Sequence, residues 1–203
     1  MKNEFRKIVL LLIYLTGVST ILFAQANYKI AESKEIEMKL SGTSTLHDWV
    51  MNTNTVSGEA KFDFMEGSNS QLTSLESLSF SLIVQNLKSD SKGLDKNAYK
   101  ALKTNKYKNI FYLLTTAIIS PISENKYLLK TEGELTVAGV TKKIYMDVNC
   151  LINANGTITC NGKYKLNMTD YHVKPPSFMF GAMKTGDAIT LDFNMVYIKQ
   201  PKI

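Results

Sequence analysis

The sequence predicts a mainly β fold, an extended antiparallel barrel of about eight strands with one short α-helix. Apolar residues recur at every second position along most of the chain, which is the period of a strand with one buried face. Turn-forming residues separate these segments at the spacing typical of an antiparallel sandwich or barrel. An open sheet of so many strands would leave two edges that invite aggregation, and closure into a barrel removes them. The closed arrangement is therefore the prediction.

The first 26 residues have the pattern of a secretory signal peptide. A basic start at residues 2–7 precedes a mostly apolar stretch at residues 8–23 and the small-x-small site Ala24-Gln25-Ala26. We expect cleavage after Ala26, a periplasmic or secreted location, and one domain over residues 27–203. The alternative is a retained membrane anchor, although small polar residues interrupt the apolar stretch.

The alternating segments are predicted as strands, with one helix between them. Between Gly93 and Asn105, apolar residues fall at helical spacing, which predicts a short amphipathic helix. Gly133 interrupts an alternating segment and is expected to form a bulge or bend. Residues 170–186 are predicted as a long loop with an apolar tip. The predicted strands are residues 35–40, 43–51, 56–64, 78–84, 110–114, 127–137, 144–152, 158–168 and 189–197.

The hairpin at Asn155-Gly156 allows its register to be predicted. The segments before and after it both carry apolar residues at even-numbered positions. A two-residue loop would send the two apolar sets to opposite faces, whereas a three-residue loop with Gly156 in the left-handed conformation pairs even with even. That register places Cys150 opposite Cys160 at a Cα separation of about 4.5 Å, at the short end of what a disulfide accepts. The pair is a disulfide candidate, with two buried free thiols as the alternative.

The composition argues against several classes of function. The net charge is +6, but the only arginine is Arg6, which disfavours nucleic acid as a partner because guanidinium groups are its usual contacts. His47 and His172 belong to no cluster at metal-binding spacing, so no metal site is expected. His47 and Asp48 would point to opposite faces of a strand, and no nucleophile-elbow motif surrounds Ser44. We therefore expect no catalytic residue and no enzyme activity.

Two interpretations stay open for four further side chains. His47 is either a hydrogen-bonded residue at the barrel end or a contact to a ligand head group. Trp49, the only tryptophan, is either a core residue or part of a ligand-binding wall. Phe178 and Phe180 either cap the barrel end or line a ligand entrance, because an exposed apolar patch usually marks an interaction.

Several motifs, taken in chain order, resemble the YceI-like family of exported lipid-binding proteins. Residues 133–142 are similar to its G-x-L-T-x-x-G-V-T-K signature, and residues 106–112 are similar to its K-Y-P-x-I-x-F segment. Residues 44–49 resemble a form found in its shorter members. Residues 168–171 together with residues 186–187 match the family's ending. The resemblance covers nearly the whole mature chain.

This resemblance implies a lipocalin-like barrel whose apolar interior holds a long isoprenoid or similar lipid. It implies no catalytic residues and no cofactor other than such a bound lipid. Nine methionines suit an interior that adapts to an irregular ligand. On this basis His47 is a candidate head-group contact. The expected lining comprises Trp49, Phe80, Leu82, Val84, Leu135, Val137, Ile144, Met146, Val148, Tyr164, Leu166, Phe178, Phe180, Leu191 and Phe193.

The sequence also departs from the family. The lack of arginine in the mature chain argues against a guanidinium clamp on a pyrophosphate. A neutral-headed lipid, such as a quinone or fatty amide, is therefore expected. The expected partners are a long-chain lipid, a membrane in transient contact and, as one option, a second copy of the chain. A filled barrel with a structural or stress role and no ligand is the alternative, and a hydrolase is a third.

Overall fold

The structure, a computed structural model, describes residues 23–65, 71–178 and 183–201. Most of the predicted signal peptide and Phe180 lie outside these residues. Two 3₁₀ turns, Val84–Asn86 and Met168–Tyr171, accompany the other elements. The described chain forms β1 (Phe23–Ile30), β2 (Glu37–Ser44), β3 (Trp49–Thr53), β4 (Ser57–Met65), β5 (Gln71–Ile83), α1 (Lys92–Ala101), β6 (Asn109–Ser123), β7 (Lys126–Val137), β8 (Val140–Ile152), β9 (Ile158–Asn167), β10 (Ser177–Phe178) and β11 (Met183–Lys199).

Eight strands close into an antiparallel ring. The hydrogen-bonded order is β1-β4-β5-β6-β7-β8-β9-β11, and β11 pairs with β1 to complete the circle. Strands β1 and β2 follow one another along the same edge of β11, where Ile30 lies opposite Tyr197 and Glu37 lies opposite Asn194. Strand β3 pairs with β2 just as β4 pairs with β1. The predicted barrel of about eight strands with one helix is confirmed.

The hairpin between β8 and β9 has the predicted register. The Asn153 N–H donates to the Thr157 carbonyl at 2.8 Å, and Gly156 is left-handed with φ of 80°. Cys150 lies opposite Cys160, and a disulfide joins the two residues across a Cα separation of 4.3 Å. The three-residue loop therefore keeps the even-numbered apolar residues of both strands on the same side of the wall.

The strand that carries the tryptophan is shorter than predicted, since it begins at Trp49 and not at Thr43. The Ser44 hydroxyl accepts from the N–H of His47 at 3.3 Å and donates to the His47 carbonyl at 2.7 Å. Serine hydroxyls that bond to nearby backbone groups favour turns over strands. The first predicted strand instead runs on through Gly42 to Ser44. A glycine fits at position 42 because the Trp49 ring occupies the space that a Cβ would need.

Gly133 does not form the predicted bulge. The extra residue lies on the partner strand β6, since Leu114 faces Gly133 while Thr116 faces Glu132, the residue just before Gly133. Gly133 is needed for a different reason, because a Cβ there would overlap the ring of Tyr112. The two residues are therefore matched in size across neighbouring strands.

A cluster of aromatic rings fills one end of the barrel. The Phe62 side chain is fully buried and packs edge-on against Tyr28, with ring centroids 5.4 Å apart, and against Tyr197 at 5.9 Å. Phe64 lies beside Tyr28 with a centroid separation of 6.4 Å. Helix α1 and the turn between β2 and β3 lie at the opposite end. The molecule therefore has a packed end and an end framed by a helix and a turn.

Candidate functional site

A long apolar cavity of about 520 Å³ occupies the barrel interior. It begins between α1 and the turn at residues 45–48, the mouth, and ends against Phe62 and Tyr197 of the aromatic cluster. This volume lies within the range of about 300–1,000 Å³ found for small-molecule sites. Six methionines of the described chain line it: Met38, Met51, Met146, Met168, Met183 and Met195.

Most of the residues predicted as lining do border this cavity. They come from strands on all sides of the ring, because the inward positions of each strand face the axis. The disulfide between Cys150 and Cys160 also forms part of the wall. The predicted residues that contribute to the wall are Trp49, Phe80, Leu82, Leu135, Val137, Ile144, Met146, Val148, Leu166, Leu191 and Phe193.

Two predicted lining residues are placed differently, and the side chains of two others lie outside the described residues. Val84 begins a 3₁₀ turn where the chain leaves the sheet after Ile83, so its side chain packs in the core and does not border the cavity. Tyr164 lies in a gap between two strands, described below. Phe178 belongs to β10, but its side chain is outside the described part of the structure, as is the whole of Phe180.

The mouth carries most of the polar side chains of the wall. His47 is exposed, and its Nδ1 lies 2.8 Å from the Asp48 carbonyl oxygen. Lys184 and Asn97 border the cavity from β11 and α1. Trp49 lies just inside the mouth, and its indole N–H donates to the Thr43 carbonyl at 3.1 Å. Polar groups thus surround the entrance, and the wall beyond it is almost wholly apolar.

Helix α1 forms one side of the mouth. The Ser91 hydroxyl caps its start by accepting from the Leu94 N–H at 3.4 Å. The buried carboxylate of Asp95 accepts from the backbone N–H and the hydroxyl of Ser89, each at 2.8 Å. With its first turn fixed in this way, the helix turns Leu94 and Ala98 toward the cavity.

The barrel wall is parted between β8 and β9 near the mouth. These strands pair only where Val148 to Ile152 face Gly162 to Ile158, at the end nearer the hairpin. Beyond Gly162 they separate, and a second space lies between them, bordered by Lys142, Tyr164 and Asp170. Tyr171 borders both this space and the main cavity. Burial raises the pKa of the Tyr171 phenol to about 12, so this side chain is neutral.

A match to a sequence model identifies the family to which this barrel belongs. The sequence model of the YceI-like domain matches residues 24–197. The chain belongs to the YceI-like family. No curated protein matches the chain by sequence.

Solved structures share the YceI-like barrel. The BcnA protein of Burkholderia cenocepacia is 17% identical and superposes with a TM-score of 0.58 over 82% of this chain and 98% of its own. A polyisoprenoid binding domain from Saccharophagus degradans is 11% identical, with a TM-score of 0.62 over 85% of this chain and 98% of its own. The YceI protein of Campylobacter jejuni is 18% identical, with a TM-score of 0.50 over 71% and 82%. At these identities the likeness shows the fold.

The described part of this YceI-like chain contains no group of three or more His, Cys, Asp or Glu side chains placed to hold a metal ion. Within the same residues, no helix has the length and apolar character needed to cross a membrane.

Sequence reasoning missed two parts of this YceI-like site. The apolar face of α1 was predicted, but only the structure shows that this face covers the mouth. Tyr112 and Thr131, two polar side chains deep in the wall, were also missed. Tyr112 alternates with Ile110 and Leu114, so the signal that could have found it was a hydroxyl-bearing ring in an inward series.

Proposed function

We propose that the chain is an exported protein that binds a long-chain, neutral-headed lipid in the barrel cavity and acts as a carrier or scavenger rather than as an enzyme. The observation that carries this proposal is the apolar cavity of about 520 Å³ between the mouth and the aromatic cluster. The domain from Saccharophagus degradans, which has the same fold, is described as polyisoprenoid binding and so supports an isoprenoid chain in the ligand; a quinone or a fatty-acyl lipid belongs to the proposal as a chain of similar apolar character.

The energetics favour an apolar chain as occupant. Burying about ten methylene groups contributes about 8 kcal/mol at ~0.8 kcal/mol each. That corresponds to a micromolar affinity before the costs of ordering ligand and protein are subtracted. The methionines of the wall adapt to ligands of differing shape. A filled barrel with a purely structural role is disfavoured because its large inward residues would have to meet at the axis, where this barrel has the cavity.

The charge distribution favours a neutral head group. No arginine follows Arg6 in the sequence, so no guanidinium fork is present to hold a phosphate. Lys184 is the one cationic side chain among the described residues that border the cavity. A single flexible ammonium group at the mouth is a poor match for a pyrophosphate.

Trp49 provides a direct test, because it is the only tryptophan and borders the cavity. Titration with a quinone that carries an isoprenoid tail is expected to quench its fluorescence saturably. Native mass spectrometry of the purified protein is expected to show a bound species that organic solvent extracts. In the control, Trp49→Phe removes the optical signal while mass spectrometry still detects the complex. A protein that is empty when purified and takes up no quinone would contradict the proposed function.

Export is tested by the mass of the mature chain. Strand β1 begins at Phe23, four residues before Asn27, where the predicted mature chain starts. Cleavage after Ala26 leaves Tyr28 to Ile30, which pair with β11 in the closed ring. Expression with the native leader is expected to yield a periplasmic or secreted protein whose intact mass begins at Asn27. Full-length protein in the membrane fraction would instead support a retained anchor.

A further inference from the structure

One buried hydroxyl in the cavity wall has no partner. Tyr112 lies on β6 and is only 8% exposed. Its phenol oxygen is buried and makes no hydrogen bond within the described residues. The Tyr112 ring lies over Gly133 on the neighbouring strand β7. It occupies the space that a Cβ at position 133 would need. The side chain therefore occupies a place that the fold keeps open for a full phenol ring.

The polar side chains nearest to Tyr112 do not accept a hydrogen bond from its hydroxyl group. Burial raises the pKa of the phenol, and the nearby Thr131 hydroxyl lowers it only in part. Thr131 donates its own proton to the Met146 carbonyl at 3.1 Å, and its contact with Tyr112 lacks hydrogen-bond geometry. The Tyr112 phenol is close enough to Tyr197 to raise the pKa of the Tyr197 phenol, which burial raises most. Tyr112 is thus a neutral donor in apolar surroundings.

Such a group is unusual in a folded protein. Buried polar atoms are nearly always hydrogen-bonded, and an unpaired buried donor destabilises a protein by about as much as a hydrogen bond stabilises it. A phenylalanine at this position would fill the same space without that penalty. The hydroxyl is therefore explained if its acceptor arrives with the ligand.

We propose that Tyr112 is a positioning residue that donates a hydrogen bond to a neutral oxygen of the bound lipid, such as a quinone or amide carbonyl, deep in the cavity. The oxygen-bearing end of the lipid then lies toward the aromatic cluster, and its hydrocarbon chain runs toward α1 and the mouth. A charged phosphate is excluded from this position because an unpaired charge in apolar surroundings is strongly unfavourable. The inference rests on the proposed function and adds the orientation and the chemical class of the ligand.

The test compares two probes that share a tail. One is a benzoquinone that carries a decyl tail, and the other is decylbenzene, which has no oxygen. Tyr112→Phe is expected to weaken binding of the quinone about three- to tenfold, the range for one neutral hydrogen bond. Binding of decylbenzene is expected to stay unchanged. Tyr145→Phe, on the outer face of β8 with 65% exposure, is the matched control and should change neither affinity.

A spectroscopic measurement on the wild-type protein keeps the test independent of how the variant folds. The infrared carbonyl band of the bound quinone is expected at lower frequency than in hydrocarbon solvent, and to return toward the solvent value in Tyr112→Phe. An unshifted carbonyl band, or an equal loss of affinity for both probes, would overturn the proposed orientation. An unchanged affinity of Tyr112→Phe for the quinone would also overturn it and would leave water as the partner of the hydroxyl. A wild-type protein that binds neither probe would overturn the proposed function itself.

Discussion

Replacing Met146 with tryptophan is expected to weaken lipid binding by about a hundredfold while the protein stays folded. Met146 borders the cavity midway along β8, opposite Thr131. An indole in place of its flexible side chain takes the space of about three or four methylene groups of a ligand. At ~0.8 kcal/mol each, their exclusion removes about 3 kcal/mol of binding free energy, which is about a hundredfold in affinity. Calorimetric titration with the tailed quinone measures the change.

The neighbouring residue supplies the control for this variant. Tyr145 lies next to Met146 on the same strand but points outward and is 65% exposed. Tyr145→Trp introduces the same ring on the opposite face of the wall, so it should leave the affinity within about twofold, as expected for a surface substitution. Equal loss of binding in both variants would mean that the strand, and not the cavity, was disturbed.

Phe62→Ala is expected to lower the free energy of unfolding by about 3–5 kcal/mol, the range for truncating a buried aromatic residue. Phe62 is 0% exposed and joins Tyr28 to Tyr197 at the packed end of the barrel. Its loss removes ring contacts on both sides and lengthens the cavity at its closed end. Urea unfolding followed by circular dichroism measures the difference.

A matched phenylalanine on the outside of the barrel tests the reason for this loss. Phe111 lies on β6 and is 49% exposed. Phe111→Ala is expected to lower the free energy of unfolding by less than about half as much as Phe62→Ala, because about half of the Phe111 side chain is already exposed to water in the folded protein. Similar losses in the two variants would contradict the view that the aromatic cluster is the main packed core of this end.

The features predicted correctly from the sequence depend on local backbone rules. Alternation along β8 and β9 and the left-handed Gly156 determine which residues face each other, so Cys150 and Cys160 could be paired without a structure. Side chains of a strand alternate between its faces, and a one-residue change in register would have exposed a whole apolar face. For the same reason most of the predicted lining residues border the cavity.

The features that were missed depend on contacts between distant residues or on sums of volume. Gly133 was predicted as a bulge or bend because nothing near it in the sequence shows that the Tyr112 ring crosses it. Tyr164 has the alternation of a lining residue, but the strand next to it moves away. Whether a barrel of eight strands is filled or hollow depends on the combined volume of all inward side chains, and alternation carries no information on that total.

The partial pairing of β8 and β9 determines how far each end of the barrel can widen around a bound ligand. Between Gly162 and the hairpin, ladder hydrogen bonds and the Cys150–Cys160 bond hold the strands at a constant spacing. From Gly162 to the mouth the two strands share no ladder, so separating them there would break no backbone hydrogen bond between them. We therefore expect the barrel to keep a constant width at the hairpin end and to widen more easily near the mouth. Ligands of different width would then meet the same closed end of the cavity.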